Sequence, residues 1–516
     1  MPTQIVNFFT GLDYRLSLPM IMLALFGLGI LLIDLGLPKE WKRANAWTAL
    51  VGLAFAAGAT LKIQLAHFSD GTPIVGSSAY LGSMRVDGFA IYFFYLFLAG
   101  AAIAVLMSVK YLEIEQEDHG EFYALILFSV IGMMCMASGF DIVLLFIGLE
   151  LMAISTYVLV GFLRRDRRSN EAALKYLILG AFSSGMFAYG LSLFYGLTGS
   201  TNLGVIATQL HQHVADHPGD PVVIFALLTT AVGLLFKIAA VPFHQWAPDA
   251  YEGAPTSITG FMSVAVKAAG WAMLLRIFVW GLPALRPVYV PLLTVVAILT
   301  LTGGNLAAMT QNNLKRLLAY SSISHVGFML LGLVSFAPGN PAAVNETGIK
   351  GIMIYLLVYT FTNLGAFAVV TSLRRREIIG DELDDIAGLM QKAPVATILM
   401  LCFLLSLAGI PPLAGFWGKY FVFLSLIECG KYGLAALGIL YSVIGLYYYM
   451  RIANAMIIKR PADKEPVALS PGMVATLAIT AAGTIIIGIF PNFFIEAATK
   501  SLSLPAFSGV VTTLMK

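Results

Sequence analysis

The chain has 516 residues, of which 59% are hydrophobic and only 11% are charged, and its formal net charge is +3. Because a soluble domain carries about 25% charged residues, this chain has too few charges to cover a surface that faces water. The composition indicates an integral membrane protein, and the small net charge gives no support for nucleic-acid binding.

The apolar runs predict fourteen membrane-spanning helices, since backbone inside lipid must satisfy its own hydrogen bonds and about 20 residues cross a bilayer. The first eight are Leu16–Leu37, Trp47–His67, Phe89–Met107, Phe122–Ala137, Ile142–Phe162, Ala172–Leu197, Val222–Ala240 and Ile258–Trp280. The other six are Val290–Met309, Leu317–Val334, Ile349–Leu373, Ala396–Ile427, Leu434–Ile458 and Met473–Ile489. The first run is too long for the core of a cleavable signal. No connection is long enough to fold alone, so residues 1–516 are expected to form a single polytopic membrane domain.

Basic residues gather in alternate loops, most densely in the short loop Arg164–Arg168. Cytoplasmic loops carry an excess of Lys and Arg. The pattern therefore predicts a multi-pass protein of the cell inner membrane, with both termini on the periplasmic side.

The sequence gives little support for a bound cofactor. The three cysteines lack metal-ligand spacing, and no glycine-rich phosphate loop follows a strand pattern. An outer loop contains His211, His213 and His217, but three loop histidines alone do not define a metal site. We interpret this segment as a solvated polar loop and expect neither a metal nor a cofactor in this chain.

Six ionisable residues of the predicted spans are candidates for function, because a charge at mid-bilayer costs about 2.5–3.5 kcal/mol on insertion scales. They are Glu150, Lys175, Lys237, Lys267, His325 and Lys419. Their comparable depth predicts a polar line parallel to the membrane plane, suited to a proton relay, because burial brings changes of protonation within reach. The alternatives are structural ion pairs and snorkelling side chains, and snorkelling is our interpretation for Arg276 and Arg451 near span ends.

Two spans are predicted to be broken. Pro242 follows Lys237 in the seventh, and Pro411–Pro412 interrupts the twelfth. Proline removes a backbone donor, and broken helices in matching halves of a transporter mark an ion pathway. Each broken span is fourth in a set of five, which predicts two inverted five-helix repeats, residues 121–281 and 287–458.

Several long motifs resemble one family. They are PFHQWAPDAYEGAPTSITGFMSVAVKAAG (Pro242–Gly270), GLELMAISTYVLVGF, LKRLLAYSSISHVGFMLLG and SLAGIPPLAGFWGKYFVF. They resemble the antiporter-like subunits of respiratory complex I, and the YEGAP and SVAVKAA wording is closest to bacterial subunit N, the homologue of mitochondrial subunit 2. The resemblance covers nearly the whole chain.

The resemblance implies an all-α fold of about fourteen transmembrane helices with two inverted repeats. It also implies proton pumping coupled to NADH oxidation and quinone reduction elsewhere in a complex. The family's Glu–Lys pair maps onto Glu150 and Lys237, its connecting lysine onto Lys267 and its exit-side lysine onto Lys419. Lys175 and His244 also match family positions, and His244 would take up protons from the cytoplasm.

The same resemblance implies partners. These are L- and M-like antiporter-like subunits and small membrane subunits, while NADH, FMN, iron–sulfur clusters and quinone are expected in other subunits. Three alternatives stay open: a cation/proton antiporter subunit, a non-conducting scaffold subunit, and a ferredoxin-linked relative of the complex.

Overall fold

The structure, a computed structural model, describes residues 10–68, 71–335, 346–374, 380–460 and 469–502. Its helices begin with α1 Gly11–Gly36, α2 Ala44–Leu65, α3 Gly88–Glu115, α4 Gly120–Ser138, α5 Ile142–Val160, α6 Arg167–Thr198, α7 Leu203–Asp216, α8 Pro221–Ile238, α9 Trp246–Gly253 and α10 Thr256–Gly281. They continue with α11 Arg286–Thr310, α12 Leu314–Val334, α13 Glu346–Ser372, α14 Leu389–Lys392, α15 Pro394–Ala408, α16 Ala414–Glu428, α17 Tyr432–Ile457, α18 Pro471–Ile489 and α19 Asn492–Leu502. Two short antiparallel strands, β1 Ser78–Ala79 and β2 Met84–Arg85, form a hairpin between α2 and α3.

The predicted all-helical membrane fold is confirmed. Within the described ranges, 13 helical segments are long and apolar enough to cross a membrane. They correspond to thirteen of the predicted spans, and the shorter helices α15 and α16 together make the twelfth. The ends of the chain, residues 1–9 and 503–516, lie outside the described residues, so the predicted side of both termini stays a prediction.

Both predicted helix breaks are present. Helix α8 ends at Ile238, Ala239 adopts a left-handed conformation with φ 61°, and the Val241–Pro242 peptide is cis. Helix α15 ends at Gly409 with φ 91°, and the Pro411–Pro412 peptide is cis. Each span thus consists of two helices with an irregular connection.

Helix α10 contains two π-helical segments that the apolar pattern does not reveal, Met262–Val266 and Arg276–Gly281. Such widened turns occur often at functional sites because they redirect the side chains that follow. Lys267 follows the first segment directly, and nearly all of α10 is buried.

The histidine segment, which we interpreted as a polar loop, is helical, so that interpretation is wrong. Residues Leu203–Asp216 form the amphipathic helix α7, whose buried face includes Ile206 and Leu210. His213 and His217 stack at 5.0 Å, and His213 Nε2 lies 2.8 Å from an Asp220 carboxylate oxygen. Within the described residues, no group of three or more His, Cys, Asp or Glu could hold a metal ion.

The same backbone contacts occur twice along the chain. The N–H of Ile142, at the start of α5, donates to Thr201 O, just as the N–H of Leu314, at the start of α12, donates to Asp381 O. In the opposite direction, Leu203 N–H donates to Phe140 O, and Leu383 N–H donates to Asn312 O. A repeated five-helix unit would produce this correspondence, while the repeat boundaries 121–281 and 287–458 stay a prediction.

Candidate functional site

Lys237 is the penultimate residue of α8 and is 3% exposed. Its Nζ lies 3.4 Å from the hydroxyl of Tyr176, and 5.5 and 5.8 Å from the ring centres of Tyr176 and Tyr157. The ammonium therefore has a hydroxyl and two aromatic faces as neighbours. A cavity beside it is lined by polar residues that include Tyr157, Ser183 and Ser184, and by apolar residues that include Leu149 and Phe236.

Glu150 and Lys237, onto which the family's Glu–Lys pair maps, do not contact each other directly. Among the described residues, no ion pair joins the two side chains within 4 Å, although Glu150 lies within electrostatic reach of Lys237. Glu150 is half-buried on α5, and its Oε1 is a buried atom without a hydrogen-bond partner. The resemblance identified the two residues, but sequence spacing could not show that they are separated in this conformation.

Lys267, on α10, is 2% exposed, and its Nζ donates to the Ser322 hydroxyl at 2.5 Å. The Nζ also lies 5.8 Å from the ring centre of Tyr251. One turn after Lys267, Gly270 packs against Lys237, so closely that an added Cβ would lie 3.4 Å from Lys237 Cγ. The two buried lysines thus come from adjacent helices that touch.

His325, on α12, uses both ring nitrogens. Nδ1 lies 2.6 Å from the Tyr355 hydroxyl, and Nε2 lies 2.9 Å from the Tyr449 hydroxyl. The imidazole is also within electrostatic reach of both Lys267 and Lys419. A histidine bonded to two hydroxyls can accept a proton at one nitrogen and release one at the other.

Lys419, on α16, is 7% exposed, and its Nζ donates to the Ala408 carbonyl at 2.7 Å. The Nζ lies 4.7 Å from the ring centre of Phe328, whose ring also contacts His325 at 6.3 Å. The carbonyl is free to accept because the break after Ala408 ends helix α15 there. The broken helix therefore supplies the polar partner that the ammonium needs.

Four of the predicted relay residues, Lys237, Lys267, His325 and Lys419, are buried, and their action as one line stays a prediction. They lie on α8, α10, α12 and α16, and the first three each have a hydroxyl partner. The sequence did not single out Ser322, Tyr176 or the tyrosines around His325. Serine and tyrosine inside an apolar run give no signal that separates a relay hydroxyl from ordinary packing.

Lys175 does not join this buried line. It is exposed, and its Nζ pairs with Asp249 at 2.8 Å and with Glu171 at 2.9 Å. Asp249 also pairs with Arg316 at 2.7 Å, and Arg316 pairs with Glu252 at 2.8 Å. Lys175 was assigned to the line from its span position and from its match to a family position, although it lies near the start of α6, where water and surface carboxylates reach it.

His244 lies in the irregular connection between α8 and α9, at the mouth of the broken span, as predicted. It is half-buried, and its Nδ1 is a buried atom without a hydrogen-bond partner. Burial lowers the pKa of His244, so the neutral imidazole is favoured. A neutral ring with an open nitrogen is able to accept a proton.

Arg276 does not snorkel, contrary to the interpretation from its span position. It is fully buried and holds Asp87 through two hydrogen bonds of 2.6 and 2.8 Å. Its Nε donates to Ala137 O, and its guanidinium lies over the rings of Phe89 and Trp280. The partner comes from α3's N-cap, which sequence position alone could not connect with α10.

The comparisons with known proteins agree with this architecture. The family described as "NADH:quinone oxidoreductase/Mrp antiporter, TM" matches residues 139–445. A protein of Koribacter versatilis named NADH-quinone oxidoreductase subunit N 1 is 63% identical over 99% of this chain and 100% of its own length. A chain of respiratory complex I from Thermus thermophilus matches with TM-score 0.76 and 33% identity, over 93% of this chain and 99% of that chain.

A chain of the Mrp complex from Dietzia sp. DQ12-45-1b matches with TM-score 0.82 but only 18% identity, over 98% of this chain and 100% of that chain, which shows the fold alone. Full-length coverage at high identity shows more than a shared fold. This chain belongs to the NADH-quinone oxidoreductase subunit N family, within the wider family of NADH:quinone oxidoreductase and Mrp antiporter transmembrane subunits.

Proposed function

We propose that this protein is a proton-translocating membrane-arm subunit of NADH:quinone oxidoreductase. Protons would move along Lys237, Lys267, His325 and Lys419, with Glu150 controlling the first lysine. The observation that carries the proposal is that all three lysine ammonium groups are buried and contact hydroxyls, a carbonyl or aromatic rings. None of the three forms an ion pair with a carboxylate among the described residues.

The physical reason is the cost of an isolated charge in a medium of low polarity. A buried ammonium without an ionised partner carries a desolvation penalty of several kcal/mol, and the neutral amine escapes it. Each lysine can therefore lose and regain a proton when a neighbouring charge changes. A lysine fixed in a tight carboxylate pair would hold its proton and could not serve in this way.

The contacts also give these residues an order. Gly270 of α10 packs against Lys237, Lys267 donates to Ser322, and Ser322 lies one helical turn before His325 on α12. The ring of Phe328 lies near both His325 and Lys419. Quinone chemistry in another subunit would change the charge that reaches Glu150, shift the proton affinity of Lys237 and start transfer toward Lys419.

His244 and Lys175 would act at the entrance rather than along the line. His244 stands at the break with an open ring nitrogen, and Lys175 is exposed beside Asp249. We assign both to the cytoplasmic side, because the Arg164–Arg168 loop is strongly basic. The same rule supports an inner-membrane location with both termini periplasmic.

The assembly proposed is the membrane arm, with L- and M-like antiporter-like subunits and small membrane subunits as neighbours. Redox groups would reside elsewhere, so NADH, FMN, iron–sulfur clusters and quinone would act on this chain only through charge and conformation. What supports membership in such a complex is the name of the full-length relative that is 63% identical, NADH-quinone oxidoreductase subunit N 1.

The decisive test replaces Lys237 with Ala in the intact complex. NADH-driven quinone reduction and vesicle acidification are recorded together, after assembly is verified. We expect both to fall about tenfold or more, the effect of removing a proton-transfer group. The control is Lys459→Ala, since Lys459 is half exposed and, among the described residues, its ion-pair partner is the exposed Asp384. Wild-type rates in an assembled Lys237→Ala complex would refute the relay and favour a scaffold role.

The same vesicle assay distinguishes the alternative function, a cation/proton antiporter subunit, from the proposed one. Transport driven by NADH and insensitive to sodium or potassium supports the proposal. Transport that persists without NADH and changes with either cation supports the antiporter, whose fold the Mrp chain shares.

A further inference from the structure

Helix α9 contacts neighbouring helices at two heights along its own axis, an outer one at Asp249 and an inner one, nearer Lys237, at Trp246. At the outer height, Asp249 pairs with Lys175 of α6 and with Arg316 of α12. One turn deeper, Trp246 is 2% exposed and stacks on Tyr176 with 4.3 Å between ring centres and 9° between planes.

The two heights are connected through adjacent residues of α6. Lys175 contacts Asp249, and the next residue, Tyr176, contacts both Trp246 and Lys237. Trp246 Nε1 also donates to Phe236 O at 2.9 Å, which fixes α9 to the end of α8. Trp246 thus links α9 both to Tyr176, which contacts the Lys237 ammonium, and to Phe236, which precedes Lys237.

Asp249 also reaches the second half of the buried line. Arg316 lies on α12, the helix that carries Ser322 and His325. Asp249 is thus bound at the same time by the helix that contacts Lys237 and by the helix that contacts Lys267. This double attachment distinguishes Asp249 from Glu252, which pairs with Arg316 but forms no ion pair with Lys175 in the described chain.

The attachment is weak enough to open. The side chains of Lys175, Asp249 and Arg316 are 46%, 31% and 28% exposed. Ion pairs with such access to water contribute about 0–1 kcal/mol each, because water competes for both partners. Helix α9 has only eight residues and follows an irregular connection, but six of the eight are buried, so packing holds it in the closed position together with the ion pairs.

We infer that Asp249 is a positioning residue of an inner gate, which closes α9 over Lys237 and opens when its ion pairs with Lys175 and Arg316 separate. Opening admits water to Lys237 from the side of the Arg164–Arg168 loop, and closing isolates the lysine from that side. The inference rests on the proposed function, to which it adds the entrance control. The stacked rings of Trp246 and Tyr176 form the part of the gate nearer Lys237, and Lys175 is one of the two cations that hold Asp249 in place.

The test measures access to the break in the assembled complex. Ala240 is fully buried at the break, and a cysteine there, with the three native cysteines replaced by alanine, reports access to an uncharged maleimide. An uncharged reagent is needed because its local concentration does not change with the charge of residue 249. Asp249→Asn removes the charge at constant shape, Asp249→Glu restores it, and Asp384→Asn removes an exposed carboxylate elsewhere.

We expect Asp249→Asn to raise the labelling rate about tenfold, which corresponds to about 1.4 kcal/mol lost from the closed state. Protons pumped per NADH should fall in the same variant, while Asp249→Glu and Asp384→Asn keep both values. Unchanged labelling in assembled Asp249→Asn would overturn the gate. If that variant does not assemble, Lys175→Gln opens the same pair from the exposed side, and unchanged labelling there overturns the gate equally. The Lys237→Ala result is independent, so loss of pumping there with a failed gate test leaves the relay in place.

Discussion

Asp249 and Lys419 occupy matching positions in the two broken spans. Each follows the cis-proline of its break, Pro242 or Pro412, by the same number of residues. Asp249 is partly exposed and bound by two cations, whereas Lys419 is buried and donates to a helix-end carbonyl. Opposite charges at equivalent places give the two breaks different tasks: the first is closed by surface ion pairs, and the second holds an ammonium inside the protein.

Replacing Lys419 with Met should abolish pumping while retaining most of the side-chain volume. The thioether cannot donate to Ala408 O and cannot carry a proton past Phe328. We expect NADH-driven acidification to fall about tenfold or more. Lys500→Met is the matched control, because Lys500 is 75% exposed on α19. Equal pumping in the two variants would remove Lys419 from the route.

Ser322 should matter through its hydroxyl alone. Ser322→Ala removes the group that accepts from Lys267 and leaves helix α12 otherwise unchanged. Because a water can replace a lost hydroxyl, we expect pumping to decrease less than in Lys267→Ala, which should stop it. Ser324→Ala is the control on the same helix, since Ser324 contacts Ser321 and Tyr448. A Lys267→Ala complex that pumps normally would exclude Lys267 from the proton route.

The membrane fold could be predicted because its cause is local. Long apolar runs must become helices in lipid, so the spans follow from the order of residues. Pro242 and Pro411–Pro412 coincide with the two breaks, although Pro19 and Pro291 lie inside continuous helices. The structure divides the twelfth run into α15 and α16, as Pro411–Pro412 indicates. The helix α7 was missed because its polar face, with His211 and His213, hides a short apolar stripe from a composition argument.

The site residues could be predicted only where an ionisable side chain interrupts an apolar run of the sequence. Lys237, Lys267 and Lys419 are of this kind, and all three are buried. Pairing was not predictable, because partners come from distant parts of the chain. Arg276 finds Asp87 and Lys175 finds Asp249, so the first is buried where snorkelling was expected and the second is a surface ion pair.

Gly409 should be required at the second break for two separable reasons. Its φ of 91° strains any residue with a Cβ, and an added Cβ would lie 2.8 Å from Lys419 Cδ. We expect Gly409→Ala to destabilise the chain by about 1 kcal/mol and to reduce pumping by displacing Lys419. Gly430→Ala carries the strain alone, since its φ is 70° and no atom lies within 4 Å of an added Cβ. Pumping equally impaired in both would assign the effect to backbone strain.

Asp87→Asn should be among the most destabilising substitutions in the chain. It leaves the fully buried Arg276 without its anion while preserving an oxygen that can cap α3. An uncompensated buried charge costs about 3–5 kcal/mol, so assembly and thermal stability of the solubilised complex should both drop. Asp384→Asn, at a carboxylate that is 87% exposed, should change neither. Normal melting of the Asp87→Asn complex would mean that water reaches Arg276.

The gate should be insensitive to pH between about 6 and 8, where carboxylates with ordinary or lowered pKa values stay ionised. Burial acts to raise the pKa of Asp249, but hydrogen bonds from Lys175 and Arg316 outweigh it and leave the pKa below its usual value. A lowered pKa means that the stabilisation is complete above the unfolded value of about 3.9 and is lost only as pH falls through the folded value. The neighbouring His244 does not change this, because burial lowers its pKa and the imidazole is uncharged over most of this range.

The measurement is the maleimide labelling rate at residue 240 in Asp249→Asn divided by the rate in the unsubstituted chain, at each pH. Thiol ionisation cancels in this ratio, which should stay near tenfold from pH 8 to pH 6. A ratio that collapses toward one between pH 7 and pH 6 would show that the unsubstituted gate opens by protonation of a group with a pKa in that range. His244 is the group to substitute in that case, because it is the histidine at the break.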